Sequence, residues 1–238
     1  MMVITGDLLD NDSRGLVAHR TKPYLSKPVG LLLDQLSHLK APLGVYAVWG
    51  NHDCGYSNLK TFEASLSSLG ISVLTNRGAS VRRGLFLAGV DDLWWGDPNV
   101  TKALLNTPDN AASILLCHNP DYLLEIPQRV SLALCSHTHG GQVRLPGVGA
   151  PWVPSKYGER FLVGWVTEPV PAYVSRGLGV TAVPHRIGAQ AELSISSLSL
   201  SKGLKSRAVF LTPSARVSLT EGSNSPWRYL TTFDFVPA

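Results

Sequence analysis

The chain has 238 residues, of which 44% are hydrophobic and 16% charged, and its formal net charge is +4. This length suits one large domain or one domain with an appendage. Residues 200–238 hold five basic and two acidic residues, so most of the net positive charge lies there and residues 1–199 are nearly neutral. The main part of the chain therefore shows no charge pattern of a nucleic-acid-binding protein. No apolar run approaches the roughly 18–20 residues of a membrane span, and we expect no signal peptide because the second residue pair already belongs to a predicted strand.

The predicted elements alternate between strands and helices in the first half of the chain. The apolar pair Val3-Ile4 predicts a strand that runs into a tight turn at Gly6-Asp7. Apolar residues at helical spacing predict helices over 29–39 and 58–69, and "GVYAVWGNHD" between them predicts a strand that ends in a Gly-Asn turn. The fold therefore begins with α/β alternation.

The second half is richer in β-structure. Short strands are predicted at "ISVLTN", "ASVRR" and "LFLAGVDD". A buried strand, a turn and the start of a helix follow in "ASILLCHNPDYLLEI", and "VSLALCSHTHGGQVRLP" predicts a strand, a glycine-containing loop and another strand. From about residue 200 the chain has Ser/Thr/Pro punctuation and no sustained period, so we assign 1–199 to one domain and 200–238 to a C-terminal appendage, with poor order as one expectation.

The three cysteines, Cys54, Cys117 and Cys135, make an odd number without a close C-x-x-C pair. We expect reduced thiols buried on strands, since free cysteine is commonly a small core residue. A disulfide pair or a thiolate metal ligand remain as alternatives.

Polar side chains follow several predicted strands at the point where each strand ends. Asp7 comes after the first apolar run, and four histidines share this position, namely His52, His118, His137 and His139. Because ligands gather at strand ends in sheets flanked by helices, we expect a shared metal site. Carboxylate, amide oxygen and imidazole together suit Mn²⁺, Fe, Zn²⁺ or Mg²⁺ rather than a thiolate-rich structural zinc site.

The motifs "GDLLD", "GNHD", "CHNPD" and "SHTHGGQVRLP", in this order, resemble the calcineurin-like metallophosphoesterase superfamily. They are most similar to its bacterial and plastid-type phosphodiesterase branch, as are "AYVSRGLGV" at 172–180 and the "PHRIGAQAEL" that comes after it. The resemblance extends over about residues 1–199. It implies an α+β fold, the four-layer αββα sandwich, and metal-dependent hydrolysis of phosphoric esters.

The resemblance also implies a role for individual residues. Asp7 would bridge two divalent metal ions (Mn, Fe, Zn or Mg), and a metal-bound hydroxide would attack phosphorus. Asn51, His118 and His137 would complete the coordination of one ion, whereas His139 would be a ligand of the other ion. His52 would stabilise the transition state or protonate the leaving oxygen.

Three further carboxylates are candidates with an alternative each. Asp10 and Asp53 either orient the metal ligands or cap turns. Asp91, as a pair with Asp92 in "DDLWWGDP", either faces the substrate or belongs to a solvated turn.

The substrate is predicted only as a class. The aromatic residues of 91–98 together with Trp152, Tyr157 and Phe161 either line an apolar pocket or pack in the core. An apolar pocket, together with the resemblance, favours a phosphodiester or pyrophosphate substrate that is either a small molecule or linked to a lipid. We expect a monomer, and peripheral association with a membrane is one option. The compartment stays open between cytoplasm, plastid and a membrane surface.

One motif of the family has no counterpart in the sequence. No D-x-H or E-x-H occurs, so the second ion would keep only Asp7 and His139 as ligands. We expect a longer natural N-terminus that supplies this strand. The alternative is a one-metal or non-catalytic relative that acts by binding metal or a partner. A serine hydrolase is disfavoured because Ser136-His137 lacks a G-x-S-x-G elbow.

Overall fold

The computed structural model describes residues 1–9, 27–181, 184–200 and 209–216. Asp10, one of the predicted orienting carboxylates, lies outside the described residues, and so does most of the predicted appendage. The proposed division into 1–199 and 200–238 therefore stays a prediction.

The described strands are short, and most follow the predicted apolar runs. In chain order they are β1 (Met2–Ile4), β2 (Val45–Ala47), β3 (Ile71–Val73), β4 (Arg77–Arg82), β5 (Leu85–Gly89), β6 (Ala112–Leu116), β7 (Leu132–Cys135), β8 (Gly164–Val166), β9 (Ala172–Val174), β10 (Ser194–Leu200) and β11 (Val209–Arg216). The described α-helices are α1 (Lys27–Leu36), α2 (Asn51–Cys54), α3 (Leu59–Ser68) and α4 (Val100–Ala103). Three 3₁₀ helices add Pro120–Glu125, His139–Gly141 and Gly158–Phe161.

Most strands belong to two sheets that are largely parallel. Sheet I has the order β1-β2-β3 and is parallel throughout. Sheet II has the order β4-β5-β6-β7-β9-β8, with a parallel centre and antiparallel pairs at both edges. Strands β10 and β11 form a separate antiparallel pair. Because parallel strands end on the same side, each sheet presents its carboxyl ends together.

Alternation along β5 shows how the sheets pack. Leu85 and Leu87 lie in one apolar cluster with Val48 of the segment after β2, which joins the two sheets. Phe86 and Ala88 point the other way, into a second cluster with residues of the 3₁₀ helices. Successive side chains of a strand alternate between faces, so sheet II is buried on both sides.

The outer side of sheet I is covered by α1 and α3. Phe62 and Leu66 of α3 are fully buried and pack in one cluster with Ile71 and Val73 of β3. The expected mixture of helices and sheets is thus confirmed as a mixed α/β fold with two main sheets and few helices. The four-layer sandwich stays a prediction.

Several local predictions need correction. The strand expected after the glycine loop is reduced to isolated bridges at Val143 and Leu145, because backbone that turns through left-handed glycines cannot continue a regular ladder. Cys117 and Cys135 are free and buried, as predicted, and their Sγ atoms lie 3.2 Å apart. Cys54 is also free but lies in α2 and is half-buried, so its placement on a buried strand was wrong. Within the described ranges, no helix is long and apolar enough to cross a membrane.

Candidate metal centre

Four of the predicted ligands converge where the two sheets present their carboxyl ends. Asp7 follows β1, and Asn51 opens α2 after β2, so both come from sheet I. His118 and His137 follow β6 and β7 of sheet II. The candidate site therefore lies between the ends of neighbouring strands from both sheets.

The donor atoms surround His118 Nε2. This nitrogen lies 3.0 Å from Asp7 Oδ2, 3.2 Å from Asn51 Oδ1 and 3.1 Å from His137 Nδ1. One ring nitrogen cannot make hydrogen bonds to three such neighbours at once. Ligands bound at about 2.1 Å around one ion, in contrast, lie roughly 3.0–3.4 Å from each other.

The donor set fits a divalent ion in chemistry as well as in spacing. The ligand atoms of Asp7, His118 and His137 all lie within 4.8 Å of one another, and both histidines are buried. Carboxylate, amide oxygen and imidazole are ligands that Mn²⁺, Fe and Zn²⁺ share. These four residues could therefore hold one ion.

The ring of His118 is fixed from its other side. Its Nδ1 lies 2.7 Å from the Thr5 carbonyl oxygen, and the Ser136 hydroxyl donates to the same oxygen at 2.8 Å. A donor on Nδ1 leaves the lone pair of Nε2 for a cation, which is how protein metal sites commonly orient histidine. Thr5 thus links the end of β1 to the ligand carried by β6.

Two glycines let the strand ends approach. Gly6 has φ +98°, and a Cβ there would lie 2.6 Å from His118 Nδ1. A Cβ on Gly50 would lie 2.1 Å from Asp7 Oδ1. Neither position has room for a larger residue without moving a candidate ligand.

Several candidate ligands also adopt unusual backbone conformations. Asp7, His137 and His139 have φ of 56°, 68° and 52°, in the left-handed region that non-glycine residues rarely adopt. Such conformations cost about 1–3 kcal/mol each and concentrate at functional sites. The surrounding packing must therefore hold these three side chains against local preference.

Asp53 ties the turn after β1 to the start of α2. Its fully buried carboxylate accepts hydrogen bonds from the backbone N–H of Asp7 at 2.8 Å, Gly50 at 2.9 Å and Leu9 at 2.8 Å. Burial raises the pKa of Asp53 to about 7, with the negative charge of Asp7 adding to the rise and the N–H donors opposing it. Its predicted role in orienting Asp7 is compatible with these contacts and stays a prediction.

The electrostatics of the cluster favour an ionised Asp7 and a neutral His137. Burial alone would lower the pKa of His118, but its hydrogen bond to Asp7 and the charge of that carboxylate raise it above the usual value. The pKa of Asp7 is lowered because His118 outweighs the effect of burial. Burial, followed by the charge of His118, lowers the pKa of His137 to about 3, so this histidine is neutral and able to ligate.

His139 lies beside the cluster and is held by Arg186. The guanidinium donates to the His139 carbonyl oxygen at 2.9 Å, and its Nη2 lies 3.5 Å from His139 Nδ1. Burial and then the charge of Arg186 lower the pKa of His139 to about 4, with Asp7 near enough to oppose this. His139 is thus neutral, and it lies outside the group of three residues whose ligand atoms meet the spacing of a metal site.

Of the remaining predicted residues, His52 contacts a candidate ligand, whereas Asp91 bonds within its own segment. The backbone N–H of His52 donates to Asp7 Oδ1 at 3.0 Å, and the charge of its ring lowers the pKa of Asp7. Asp91 accepts from the backbone N–H of Asp92 and Asp97, so it closes its own turn. Both assignments, to catalysis and to the substrate side, stay predictions.

The aromatic candidates divide between the core and the surface. Phe161 is fully buried, whereas Trp95 and Trp152 are 71% and 62% exposed. The ring of Trp94 packs edge-on against His137 with 4.5 Å between centroids. Trp94 therefore connects the 91–98 segment to the candidate metal centre.

Sequence reasoning gave no role to Arg186 or to the Thr5 carbonyl. Arg186 is 47 positions from His139 and Thr5 is 113 positions from His118, so neither pair leaves a local spacing signal. The segment "PHRIGAQAEL" that contains Arg186 is part of the family resemblance, and that was its only signal.

Sequence comparisons with known proteins indicate a family of metal-dependent phosphoesterases. The profile described as calcineurin-like phosphoesterase matches residues 1–141. The uncharacterized metallophosphoesterase YkuE of Bacillus subtilis is 33% identical over 204 residues, which is 83% of this chain and 67% of YkuE. Phosphodiesterase YaeI of Escherichia coli is 34% identical over 164 residues, or 61% of this chain and 55% of YaeI. A bovine transmembrane protein with metallophosphoesterase domain is 29% identical over 81% of this chain, which corresponds to 44% of its own length.

Proposed function

The chain belongs to the calcineurin-like phosphoesterase family, and on that premise we propose that it hydrolyses phosphodiesters or pyrophosphates with two bound divalent metal ions. The observation that carries the proposal is the convergence of Asp7, Asn51 and His137 on His118 Nε2 at 3.0–3.2 Å. The name of the relative YaeI, a phosphodiesterase, supports the same class of reaction.

In this proposal the chain's own residues bind and orient the ions. Asp7, Asn51, His118 and His137 would hold one ion, and Asp7 and His139 would contribute to the other. When bound, such ions polarise phosphoryl oxygens and activate water. Arg186 would keep His139 in place, and Thr5 would keep the ring of His118 aimed at the ion.

His52 is the proposed proton donor to the leaving oxygen. Its backbone N–H is bonded to Asp7 Oδ1, which places the residue next to the proposed bridging carboxylate. The side chain is half-buried, so it keeps access to a substrate bound over the centre. General acid catalysis by a histidine contributes typically 10²- to 10⁴-fold in rate.

A lipid-linked substrate is the finer form of the proposal. Trp94 contacts His137 and is 45% exposed, while Trp95 beside it is 71% exposed. Exposed tryptophans are suited to the boundary between an apolar phase and water. We therefore include peripheral membrane association of a monomer in the proposal.

A comparison of substrates tests this function. We expect the protein, supplied with Mn²⁺, to hydrolyse bis(p-nitrophenyl) phosphate faster than p-nitrophenyl phosphate, and to cleave a lipid-linked pyrophosphate in vesicles faster than its short-chain analogue. His137→Ala should be inactive on all four. Absence of diester and pyrophosphate hydrolysis with Mn²⁺, Fe²⁺, Zn²⁺ and Mg²⁺ would overturn the proposal.

A second candidate is a protein that binds one ion without catalysing hydrolysis. In the described part of the chain one group of three ligand atoms meets the spacing of a metal site, and His139 is outside this group. Metal analysis separates the two candidates: one ion per chain without hydrolysis favours the binding protein, and two ions with activity that follows the second favour the enzyme.

A further inference from the structure

Asp92 is a buried carboxylate with one oxygen that has no hydrogen bond. The residue follows β5 and is 1% exposed. Its Oδ1 accepts from the backbone N–H of Trp94 and Trp95, both at 2.8 Å. No described residue donates a hydrogen bond to its Oδ2, which is also buried. A buried carboxylate oxygen without a partner is unfavourable unless a cation or its hydration water compensates it.

The position of Asp92 places it beside the candidate metal centre. The backbone N–H of Val90 donates to the Leu116 carbonyl at 3.1 Å, so the end of β5 lies next to the end of β6, from which His118 follows. Two residues beyond Asp92, the Trp94 ring packs against the ring of His137. The segment after β5 is therefore anchored to elements that carry two candidate ligands.

The electrostatics agree with this position. Burial raises the pKa of Asp92, and the N–H donors of Trp95 and Trp94 oppose this rise. The charge of His118 also lowers the pKa of Asp92, whereas the charge of Asp7 raises it. After burial, the negative charges of Asp92, Asp91, Asp53 and Asp7 all help to raise the pKa of Cys54. Asp92 is thus within electrostatic range of two candidate ligands.

The neighbouring Asp91 shows that the turn itself does not need the free oxygen. Asp91 Oδ1 accepts from the Asp92 N–H at 2.9 Å and its Oδ2 accepts from the Asp97 N–H at 3.2 Å, so both of its oxygens close the turn. Asp92 contributes only Oδ1 to the same turn, and an asparagine could supply an equivalent oxygen. Among the described residues, none donates a hydrogen bond that uses the second oxygen of Asp92.

We propose that Asp92 is an acidic positioning residue of the metal centre, whose unbonded Oδ2 faces the divalent cation held by Asp7, His118 and His137 and stabilises it. This inference rests on the proposed function for the presence of that cation. Groups that support a metal site without ligating it typically change metal affinity by about 10- to 100-fold. Asp92 would act in this way rather than touch the substrate.

The test compares Asp92→Asn with Asp34→Asn, a change at an exposed carboxylate of α1, in the full chain. Each protein is stripped with a chelator and titrated with Mn²⁺ by calorimetry, and its thermal unfolding is recorded without metal. We expect Asp92→Asn to bind Mn²⁺ about 10- to 100-fold more weakly, with an unfolding temperature of the metal-free form equal to or above that of the wild type. The exposed Asp34→Asn should keep the wild-type affinity.

Each other outcome has a defined meaning. An affinity of Asp92→Asn within twofold of the wild type would overturn the inference. A metal-free Asp92→Asn that fails to fold, or unfolds well below the wild type, would overturn it too, because the charge would then stabilise the turn. Weaker Mn²⁺ binding without any phosphoester hydrolysis would support the inference and refute the proposed function, whereas wild-type protein that binds no Mn²⁺ would refute both.

Discussion

His118 Nε2 and Asp7 Oδ2 lie 3.0 Å apart in the centre of the candidate metal site. This contact raises the pKa of His118 and lowers that of Asp7, so it favours a protonated His118 in the metal-free protein. A metal ion that binds here must displace this proton.

The first prediction is that metal affinity depends on pH with a defined sign. Because the pKa of His118 lies above 6.5, Mn²⁺ binding at pH 6.5 should release protons, and affinity should rise with pH until His118 is neutral in the free protein. Asp53, with a pKa of about 7, adds in the same direction, while His137 and His139 are already neutral. Calorimetry in buffers of different ionisation enthalpy measures this release. Affinity that stays constant from pH 6 to 8.5 would contradict it.

The second prediction concerns the close approach of β1 and β2. Gly50→Ala would place a Cβ within 2.1 Å of Asp7 Oδ1, and since the φ of Gly50 is −107°, the effect would be steric rather than conformational. We expect a loss of about 1–3 kcal/mol in unfolding free energy together with weaker Mn²⁺ binding. Urea unfolding and calorimetry provide the two measurements.

Gly30→Ala is the matched control for this variant. Gly30 lies in α1, and a Cβ there meets nothing within 4 Å. Alanine in an exposed helix interior should stabilise the chain by about 0.5–1 kcal/mol and leave metal binding unchanged. Equal behaviour of the two variants would mean that the contact between Gly50 and Asp7 is unimportant.

The third prediction is that Asp53 stabilises the turn that carries Asp7. Asp53→Asn retains one good acceptor oxygen and turns an amide N–H₂ toward a backbone N–H, so either the Leu9 bond at Oδ1 or both the Asp7 and Gly50 bonds at Oδ2 are lost. We expect a cost of about 1–3 kcal/mol for the lost acceptor. The cost should become smaller as the pH rises from about 4 to about 7, because the raised pKa of Asp53 means that its ionised form is less favourable in the folded chain. Thermal unfolding measures the change, and the exposed Asp34→Asn should unfold as the wild type does.

The fourth prediction separates catalysis from metal binding. His52→Ala should lower turnover of a phosphodiester by about 10²- to 10⁴-fold, while metal content stays near the wild-type value because His52 is not a proposed ligand. Metal analysis and steady-state kinetics on the same preparation test both parts. Equal loss of metal and activity would remove the proposed role of His52, and the exposed His38→Ala should change neither.

The convergence of the ligands could be predicted because it follows from a general property of parallel strands. Asp7, His118 and His137 each come directly after a short apolar run, and the ends of parallel strands share one side of a sheet. The family resemblance added the order of the motifs and the role of Asn51. Their spacing around His118 Nε2 could be recognised only in three dimensions.

Other features depend on contacts between residues that are distant in sequence. Arg186 holds His139 from 47 positions away, and its position in a loop gives no periodic signal. Asp91 and Asp92 look equivalent in sequence, yet one closes a turn with both oxygens and the other keeps one oxygen buried and unbonded. The strand expected after "SHTHGG" does not form because Gly140 and Gly141 adopt left-handed φ values of 63° and 78°.

The central claim is that the cluster of Asp7, His118 and His137 holds an ion on which hydrolysis depends. The most direct measurement titrates chelator-treated protein with Mn²⁺ and records hydrolysis of bis(p-nitrophenyl) phosphate for the wild type and for His137→Ala. We predict no hydrolysis without the ion, a saturable rise for the wild type, and background rates for His137→Ala at the Mn²⁺ concentration that saturates the wild type. Hydrolysis that is independent of Mn²⁺, or equal in the two proteins, would contradict the claim.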